Sequence, residues 1–328
     1  MINYSERALI VLTSYEFESL QLTLNALNHT LDLEERIVII LNGIPNYAGA
    51  IVERISREWA AQDHSHRFVV RPLSSGGKAY WAIKEILEKF EPLKYTKYIC
   101  KIDDDIIPLR KKWMDHLADT YSTLDNSDKK IGFVTGLINN NNWGFAELID
   151  IFDKRTEYEQ ISNYNNIAGQ RLIKEKEVAN GAFGSVWKNP YLAWWIHQWT
   201  SLCPDEFINR TANLGLKEIL PEIHYSIGCI YFEKSFWLQP EIPDNKETAF
   251  DELMLHQLCI QANLQKWAVM NEPIIHIHYY TQRFPNKDII PLIANSLFNF
   301  FRDTAFNNIR RIQLEDRFII LEEKMYEI

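Results

Sequence analysis

Long apolar runs and clustered cysteines are the features that this sequence lacks most plainly. None of its apolar stretches approaches the ~20 residues that a bilayer-spanning helix needs. The four cysteines, Cys100, Cys203, Cys229 and Cys259, are scattered in apolar surroundings, without zinc-site spacing or a disulfide framework. Buried free thiols in a reducing compartment are therefore expected. Since the first residues show no signal-peptide pattern, we predict a cytoplasmic protein.

An excess of basic residues is missing as well. Lys and Arg number 35 against 44 Asp and Glu, which gives a net charge of −9. Binding of nucleic acid through a basic surface is thereby disfavoured, and no nucleic-acid partner is expected. A phosphate-bearing ligand would need a local counter-charge, which a metal ion could supply. Internal repeats and low-complexity linkers are also lacking, so the 328 residues predict one large domain or two smaller ones.

The first third of the chain alternates strand-like and helix-like patterns. Continuous apolar runs predict strands at 8–13, 36–41, 67–71 and 98–102. Helical spacing predicts helices at 16–28, 48–60 and 78–90. Continuous apolar strands that alternate with helices are typical of a parallel sheet covered on both faces. We therefore predict an α/β fold with a mostly parallel central sheet.

The rest of the chain is less regular. The pattern predicts a helix at 109–124, a strand at 131–138, a strand at 227–232, a helix at 252–262 and a strand pair at 267–277 interrupted at 271–273. The stretch 139–225 is rich in Asn and Trp and is expected to be an insertion over the sheet. The predicted domain is 1–288, with halves 1–138 and 139–288, followed by a helical extension at 289–328 whose amphipathic part is 312–325.

Three consecutive carboxylates, Asp103, Asp104 and Asp105, follow the fourth predicted strand directly. Carboxylates this close resist ionising together, and a hard divalent cation with oxygen ligands relieves that repulsion. Ligands of open α/β sheets bind just beyond the carboxyl ends of the strands. A solvated loop or a helix start is the alternative interpretation, but the apolar run 106–108 after the acids argues against a free loop. We predict a metal site in a protein that handles phosphates.

The order of motifs resembles glycosyltransferase family 2, on the GT-A fold. The resemblance covers roughly residues 7–285 and rests on short segments in sequence order. These are Thr13-Ser14-Tyr15, Asn42-Gly43, Gly76-Gly77-Lys78-Ala79, the Asp triplet, Gly228-Cys229-Ile230-Tyr231-Phe232, Phe250-Asp251-Glu252-Leu253 and His276-Ile277-His278. It implies a metal-dependent, inverting glycosyltransferase of surface polysaccharide synthesis. The donor would be a nucleotide-diphosphate sugar, UDP-type, and the acceptor a glycan or a lipid-linked glycan.

The resemblance also implies roles for single residues. Asp105 would be the direct ligand of a Mn2+ or Mg2+ ion, with Asp103 near the ribose and the metal. The nucleotide-sugar would further contact Thr13, Tyr15, Asn42, Lys78 and Asp104. Asp251 or Glu252 would be the general base that takes the proton of the acceptor hydroxyl. His276 or His278 would complete the metal shell.

Several of these assignments stay open on the sequence. Asn42 stands where the family usually has Asp, which leaves the nucleotide base undecided because Asn both donates and accepts hydrogen bonds. The acidic pair reads Asp-Glu where the family more often reads Glu-Asp, so either residue is a candidate base. Both histidines suit a structural role too, and Lys78 suits a solvated helix start. Trp194, Trp195 and Trp199 suit either the core or an acceptor platform.

Other functions fit the same residues less well. A sugar-phosphate nucleotidyltransferase needs a Gly-rich, Arg-containing loop after the first strand, which residues 13–17 do not provide. A haloacid-type phosphatase needs Thr or Val two residues after the second Asp of its motif, and Ile107 stands there. A non-catalytic nucleotide-sugar scaffold is disfavoured by the intact acidic motifs. The C-terminal helices are candidates for homo-oligomer contacts or for peripheral contact with the inner face of the membrane.

Overall fold

The computed structural model describes residues 6–13, 16–31, 36–42, 47–72, 78–125, 129–164, 186, 190–221, 223, 225–239, 251–283 and 285–309. Nine strands in this part of the chain form one sheet. They are β1 (Arg7–Thr13), β2 (Arg36–Leu41), β3 (Arg67–Val70), β4 (Tyr98–Asp103), β5 (Ile106–Pro108), β6 (Ile131–Ile138), β7 (Leu216–Ile219), β8 (Cys229–Glu233) and β9 (Gln265–His276).

Helices connect and cover these strands. Those described are α1 (Phe17–Thr30), α2 (Tyr47–Ala60), α3 (Ala79–Lys89), α4 (Trp113–Asp125), α5 (Asn142–Ile151), α6 (Arg155–Tyr164), α7 (Pro190–Trp199), α8 (Pro204–Thr211), α9 (Lys234–Leu238), α10 (Asp251–Gln261), α11 (Tyr280–Arg283) and α12 (Ile289–Phe301). Short 3-10 turns lie at Glu91–Leu93 and Thr304–Asn307. Within the described residues, no helix combines the length and apolar character that a membrane crossing requires.

The strands follow the order β3-β2-β1-β4-β8-β6-β9-β5, and β7 also pairs with β9. The first four are mutually parallel. β8 runs antiparallel to both β4 and β6, and β9 runs parallel to β6. β6 and β9 therefore point the same way as β1 to β4, and their carboxyl ends lie at one edge. The α/β class and the mostly parallel sheet predicted from the sequence are confirmed.

Strand β9 corrects one prediction. The expected strand pair broken at 271–273 is a single strand. Its pairing with β6 jumps from Gly136 opposite Val269 to Leu137 opposite Pro273. The extra residues form a β-bulge, which is where a sheet tolerates a proline, because a proline has no N–H to give to the ladder. The residues that predicted a strand end therefore form a bend within a strand that continues to His276.

The segment after the Asp triplet corrects another prediction. Ile106–Pro108 form strand β5, which pairs antiparallel with the end of β9. The helix expected from residue 109 begins only at Trp113. Lys112, just before it, has a left-handed backbone with φ of 60°, which a right-handed helix does not accommodate. The short strand matters because it places Asp105 beside the carboxyl end of β9.

The described part of 139–225 packs onto the sheet. Helix α8 contacts β9, and α5 contacts β6. Trp195 and Trp199 are buried in the common core, whereas Trp194 is half-buried and packs against it. The assigned domain limits stay a prediction, and the amphipathic stretch 312–325 lies outside the described residues.

We expect Trp195→Ala to destabilise the protein strongly. The indole packs against Phe145, Tyr158 and Trp199, and its Nε1 donates to Glu157 at 2.7 Å. Truncation of a buried Trp typically costs ~3–5 kcal/mol in the free energy of unfolding. Trp194→Ala, at the half-buried neighbour, should cost clearly less. Denaturant unfolding of both variants measures this, and equal losses would contradict the packing described.

Candidate active site

A cavity of about 310 Å³ opens at the carboxyl ends of the parallel strands. It gathers most of the residues that the sequence singled out, together with several that it did not. The lining residues are Leu12, Thr13, Asn42, Ala79, Asp103, Asp104, Asp105, Ser226, Glu252, His276, His278, Tyr279 and Arg283.

The parallel register brings four of these residues to one wall. Leu12 of β1 lies opposite Asp103 of β4, and Thr13 lies opposite Leu41, the last residue of β2. The amide of Asn42 then donates to the carbonyl of Thr13 at 2.9 Å. The hydroxyl of Thr13 is turned to the Ile40 carbonyl, 3.2 Å away. Polar side chains that follow apolar strands are therefore collected at the edge where α/β sheets bind ligands.

Asp105 and His276 meet because β5 pairs with β9. Ile106 lies opposite His276, and the Ile277 amide donates to the Asp105 carbonyl at 3.0 Å. The two side chains approach to 3.3 Å, between Asp105 Oδ2 and His276 Nε2. Burial disfavours the charged form of both side chains, but each side chain stabilises the charged form of the other. The pKa of Asp105 is lowered by His276, and the pKa of His276 is raised by Asp105.

A second hydrogen bond fixes the orientation of His276. Its Nδ1 lies 2.7 Å from the carbonyl of Asn140, which can only accept, so Nδ1 donates. The backbone contact therefore places a proton on Nδ1, while Nε2 faces Asp105. A histidine held in this way is a typical metal ligand, with the ring aimed by a bond on its far side.

A buried polar network supports the strand end that carries His276. Asn139 Oδ1 accepts from the His276 amide at 2.9 Å, and Asn139 Nδ2 donates to Ser201 Oγ at 2.9 Å. His197 of α7 accepts from Ser201 at 2.6 Å and donates to the Ile277 carbonyl at 2.7 Å. Burial lowers the pKa of His197 to about 3, so this ring is neutral at physiological pH. Apart from an Asn-rich run, no sequence pattern singled out these residues.

Lys101 is the main residue that sequence reasoning missed. It is 1% exposed, and its Nζ lies 2.6 Å from Asp103 Oδ1. It also donates to the Ile227 carbonyl at 3.0 Å. Burial and the Asp105 carboxylate raise the pKa of Asp103 to about 6, although Lys101 acts to lower it. A lysine two residues before an acid on the same strand face was a visible signal.

The acidic pair lies at the start of α10, and its two members face different surroundings. Glu252 lines the cavity, while Asp251 is not among the lining residues. Asp251 Oδ1 accepts from the Glu252 amide at 2.9 Å. Burial raises the pKa of Asp251, and Lys101 acts against that rise. The Glu252 side chain therefore lies at the cavity, whereas the Asp251 carboxylate contacts the backbone at the start of α10.

Two other lining residues, His278 and Arg283, lie close to Glu16. His278 Nε2 lies 3.4 Å from Glu16 Oε2, and Arg283 Nε lies 3.3 Å from Glu16 Oε1. His278 and Arg283 also act to lower the pKa of Asp105. Neither Glu16 nor Arg283 was expected from the sequence, because neither stands in a segment that carried a motif.

Other predicted residues lie elsewhere. Lys78 caps α3 and is half-buried, and its neighbour Ala79, rather than Lys78, lines the cavity. Tyr15 lies outside the described residues. Trp194, Trp195 and Trp199 are not among the lining residues. The roles assigned to these five residues stay predictions.

The donor set fits a divalent cation that is held only partly by protein. Among the described residues, no group of three or more His, Cys, Asp or Glu side chains is arranged to hold a metal ion. Asp105 and His276 offer one carboxylate oxygen and one imidazole nitrogen. Ions that bind substrate phosphates are usually held by one or two protein groups, with phosphate oxygens and water as the other ligands. The pair suits such an ion.

No protein-family model matches the chain, and no curated protein matches it in sequence. Among solved structures it is similar to GalNAc-T7 crystallised with UDP, GalNAc and Mn2+, with a TM-score of 0.47 and 10% identity, over 90% of this chain and 50% of that one. It is also similar to S. aureus TarS, with a TM-score of 0.37 and 13% identity, over 94% and 77% of the two chains. The chain thus spans half the length of the first. Because both TM-scores lie below 0.5, function has to be inferred from the residues of the cavity.

Proposed function

We propose that this chain is a metal-dependent glycosyltransferase. It moves a sugar from a nucleotide-diphosphate donor, UDP-type, to a hydroxyl of a glycan or lipid-linked acceptor, with inversion at the anomeric carbon. One observation carries the proposal. The strand-end cavity brings Asp105 and His276 together with a separate carboxylate, Glu252, contributed by another element. This reaction needs a cation beside the diphosphate and a base beside the acceptor hydroxyl. One cavity contains candidates for both.

The donor side consists of Asp105, His276, Asp103, Thr13 and Asn42. A divalent cation held by Asp105 and His276 would neutralise the charge that builds on the leaving diphosphate. An ionised Asp103 only accepts hydrogen bonds, so its carboxylate suits the ribose hydroxyls. Thr13 and Asn42 lie farther along the same wall and suit the nucleoside.

The acceptor side depends on Glu252. Its carboxylate takes the proton of the acceptor hydroxyl as that oxygen attacks the anomeric carbon. The new carbon–oxygen bond forms on the face opposite the leaving diphosphate, whose bond to the sugar breaks in the same displacement. Inversion follows, and the chain needs no nucleophile of its own.

A thermal-shift screen tests the proposal directly. UDP, GDP, CDP and dTDP are each added with and without Mn2+. A ligand that binds only the folded state raises the melting temperature. We expect a rise for one nucleotide, UDP first, that requires Mn2+. The absence of a Mn2+-dependent shift for all four would overturn the proposal. Binding without transfer or hydrolysis of the matching nucleotide-sugar would instead favour the scaffold interpretation.

We expect the two histidines to differ in metal binding. His276 Nε2 faces Asp105, whereas His278 Nε2 faces Glu16. His276→Ala should therefore weaken Mn2+ binding in the presence of UDP by about 10–100-fold, the scale for groups that support a metal site. His278→Ala should have a much smaller effect, and the exposed His64→Ala none. Titration calorimetry at pH 7.5 measures the three. Wild-type affinity in His276→Ala would remove this histidine from the site.

A further inference from the structure

Lys101 is a charged side chain in the centre of the sheet. It belongs to β4, which is flanked by β1 and β8, and it pairs with Ile10 and Ile230. At 1% exposure it is as buried as the apolar residues around it. An ammonium ion is expensive to remove from water, and it is retained in a core only with close partners. Its partners therefore indicate what it does.

Two of these partners, Asp103 and Glu252, line the strand-end cavity, and the other two, Ile227 and Asp251, are sequence neighbours of lining residues. Lys101 and Asp103 share one face of β4, since they are two residues apart, and their charged atoms are 2.6 Å apart. The bond to the Ile227 carbonyl holds the segment that carries Ser226, another lining residue. Asp251 and Glu252 act on the same ammonium through their charge. One buried cation thus contacts a carboxylate of the donor side.

We propose that Lys101 is a positioning residue. Its buried ammonium holds Asp103 in place through the 2.6 Å contact, so that Asp103 keeps a fixed position beside the donor. This role rests on the proposed glycosyltransferase function. Lys101 does not line the cavity and contacts no substrate. It acts through Asp103, which lines the cavity.

The chain offers a matched control in Lys266. This lysine is also fully buried, and its Nζ donates to the Pro221 and Ile223 carbonyls and contacts His256 Nδ1. It therefore also anchors the residues before β8. Its partners, however, are backbone carbonyls and an imidazole, whereas Lys101 contacts a carboxylate. Lys266→Met reports the effect of losing a buried lysine and an anchor of this segment. Lys101→Met adds to this the loss of the contact with Asp103.

The experiment combines binding with stability. Lys101→Met, Asp103→Asn, their double variant and Lys266→Met are measured for Mn2+-dependent UDP binding, for the kcat and KM of transfer, and for unfolding in denaturant. We expect Lys101→Met to weaken UDP binding by about 10–100-fold, the scale for groups that orient a site. Lys266→Met should weaken it by less than about threefold. In the Asp103→Asn background, Lys101→Met should add little to the loss of binding.

The unfolding data test the pair without any substrate. Residues in direct contact couple in stability, and we expect the two single substitutions to be coupled by at least about tenfold in the unfolding equilibrium constant. Wild-type UDP binding and kcat in Lys101→Met would overturn the proposal, and so would equal losses in Lys101→Met and Lys266→Met. If the wild-type protein binds no nucleotide, the glycosyltransferase proposal fails. Lys101 is then tested only by the double-mutant cycle in denaturant unfolding. A coupling below about twofold in that cycle overturns its role.

Discussion

Asp105→Asn is expected to abolish Mn2+-dependent nucleotide binding while the protein stays folded. Asp105 is buried, and its pKa is held below the ordinary range by His276, His278 and Arg283 against the effect of burial. It is therefore ionised at neutral pH and supplies the negative charge that a hard cation prefers. The amide keeps the shape but loses the charge, so Mn2+-dependent UDP affinity should fall by at least about 100-fold, the upper end for groups that support a metal site.

The fold should tolerate this substitution because two effects oppose each other. The amide side chain would lose the charge contact with His276, but it would also relieve repulsion, since Asp105 raises the pKa of Asp103. Asp115→Asn is the matched control. Asp115 forms a partly exposed ion pair with Arg7 at 2.8 Å, on a helix that does not line the cavity. UDP affinity unchanged in Asp105→Asn, measured with Mn2+ by calorimetry, would remove Asp105 from the metal site.

The position of Asp103 and Thr13 at one edge of the sheet was predictable from the sequence because its signal is local. Asp103 and Thr13 end buried parallel strands, and parallel strands bring their carboxyl ends to one edge. His276 was found by its place in a motif order, although the strand that carries it was misread. The bulge at 270–272 looks like a break in sequence, whereas in the sheet it lets β9 pair with β6 and then reach β5.

The residues that were missed depend on contacts distant in sequence. Arg283 reaches the cavity from a short helix that carries no motif, and Glu16 comes from the opposite end of the chain. Asn139 matters because its side chain accepts from the His276 amide, 137 residues away. Lys101 was visible as a charge in an apolar strand, but its partner Ile227 is known only from the pairing of β4 with β8. Spacing alone does not encode such contacts.

The fold distinguishes the two residues of the acidic pair, which the sequence did not. Sequence patterns left Asp251 and Glu252 as alternatives, because the pair reads Asp-Glu where the family that the sequence resembles more often reads Glu-Asp. In the fold, consecutive helical residues point about 100° apart. Glu252 is the one that lines the cavity, and Asp251 accepts from the Glu252 amide.

Glu252→Gln is accordingly expected to lower kcat by about 10²–10⁴-fold, the usual contribution of a general base. Glutamine fills the same space and accepts hydrogen bonds, but it cannot take a proton, so Mn2+-dependent UDP affinity should stay near the wild-type value.

Asp251→Asn is the matched control on the neighbouring residue. It keeps an oxygen that can accept from the Glu252 amide, and its kcat should fall by less than about tenfold. Steady-state kinetics with the donor identified by the nucleotide screen separate the two. A large loss of kcat in Asp251→Asn with near-normal turnover in Glu252→Gln would reverse the assignment, and near-normal turnover in both would place the base outside this pair.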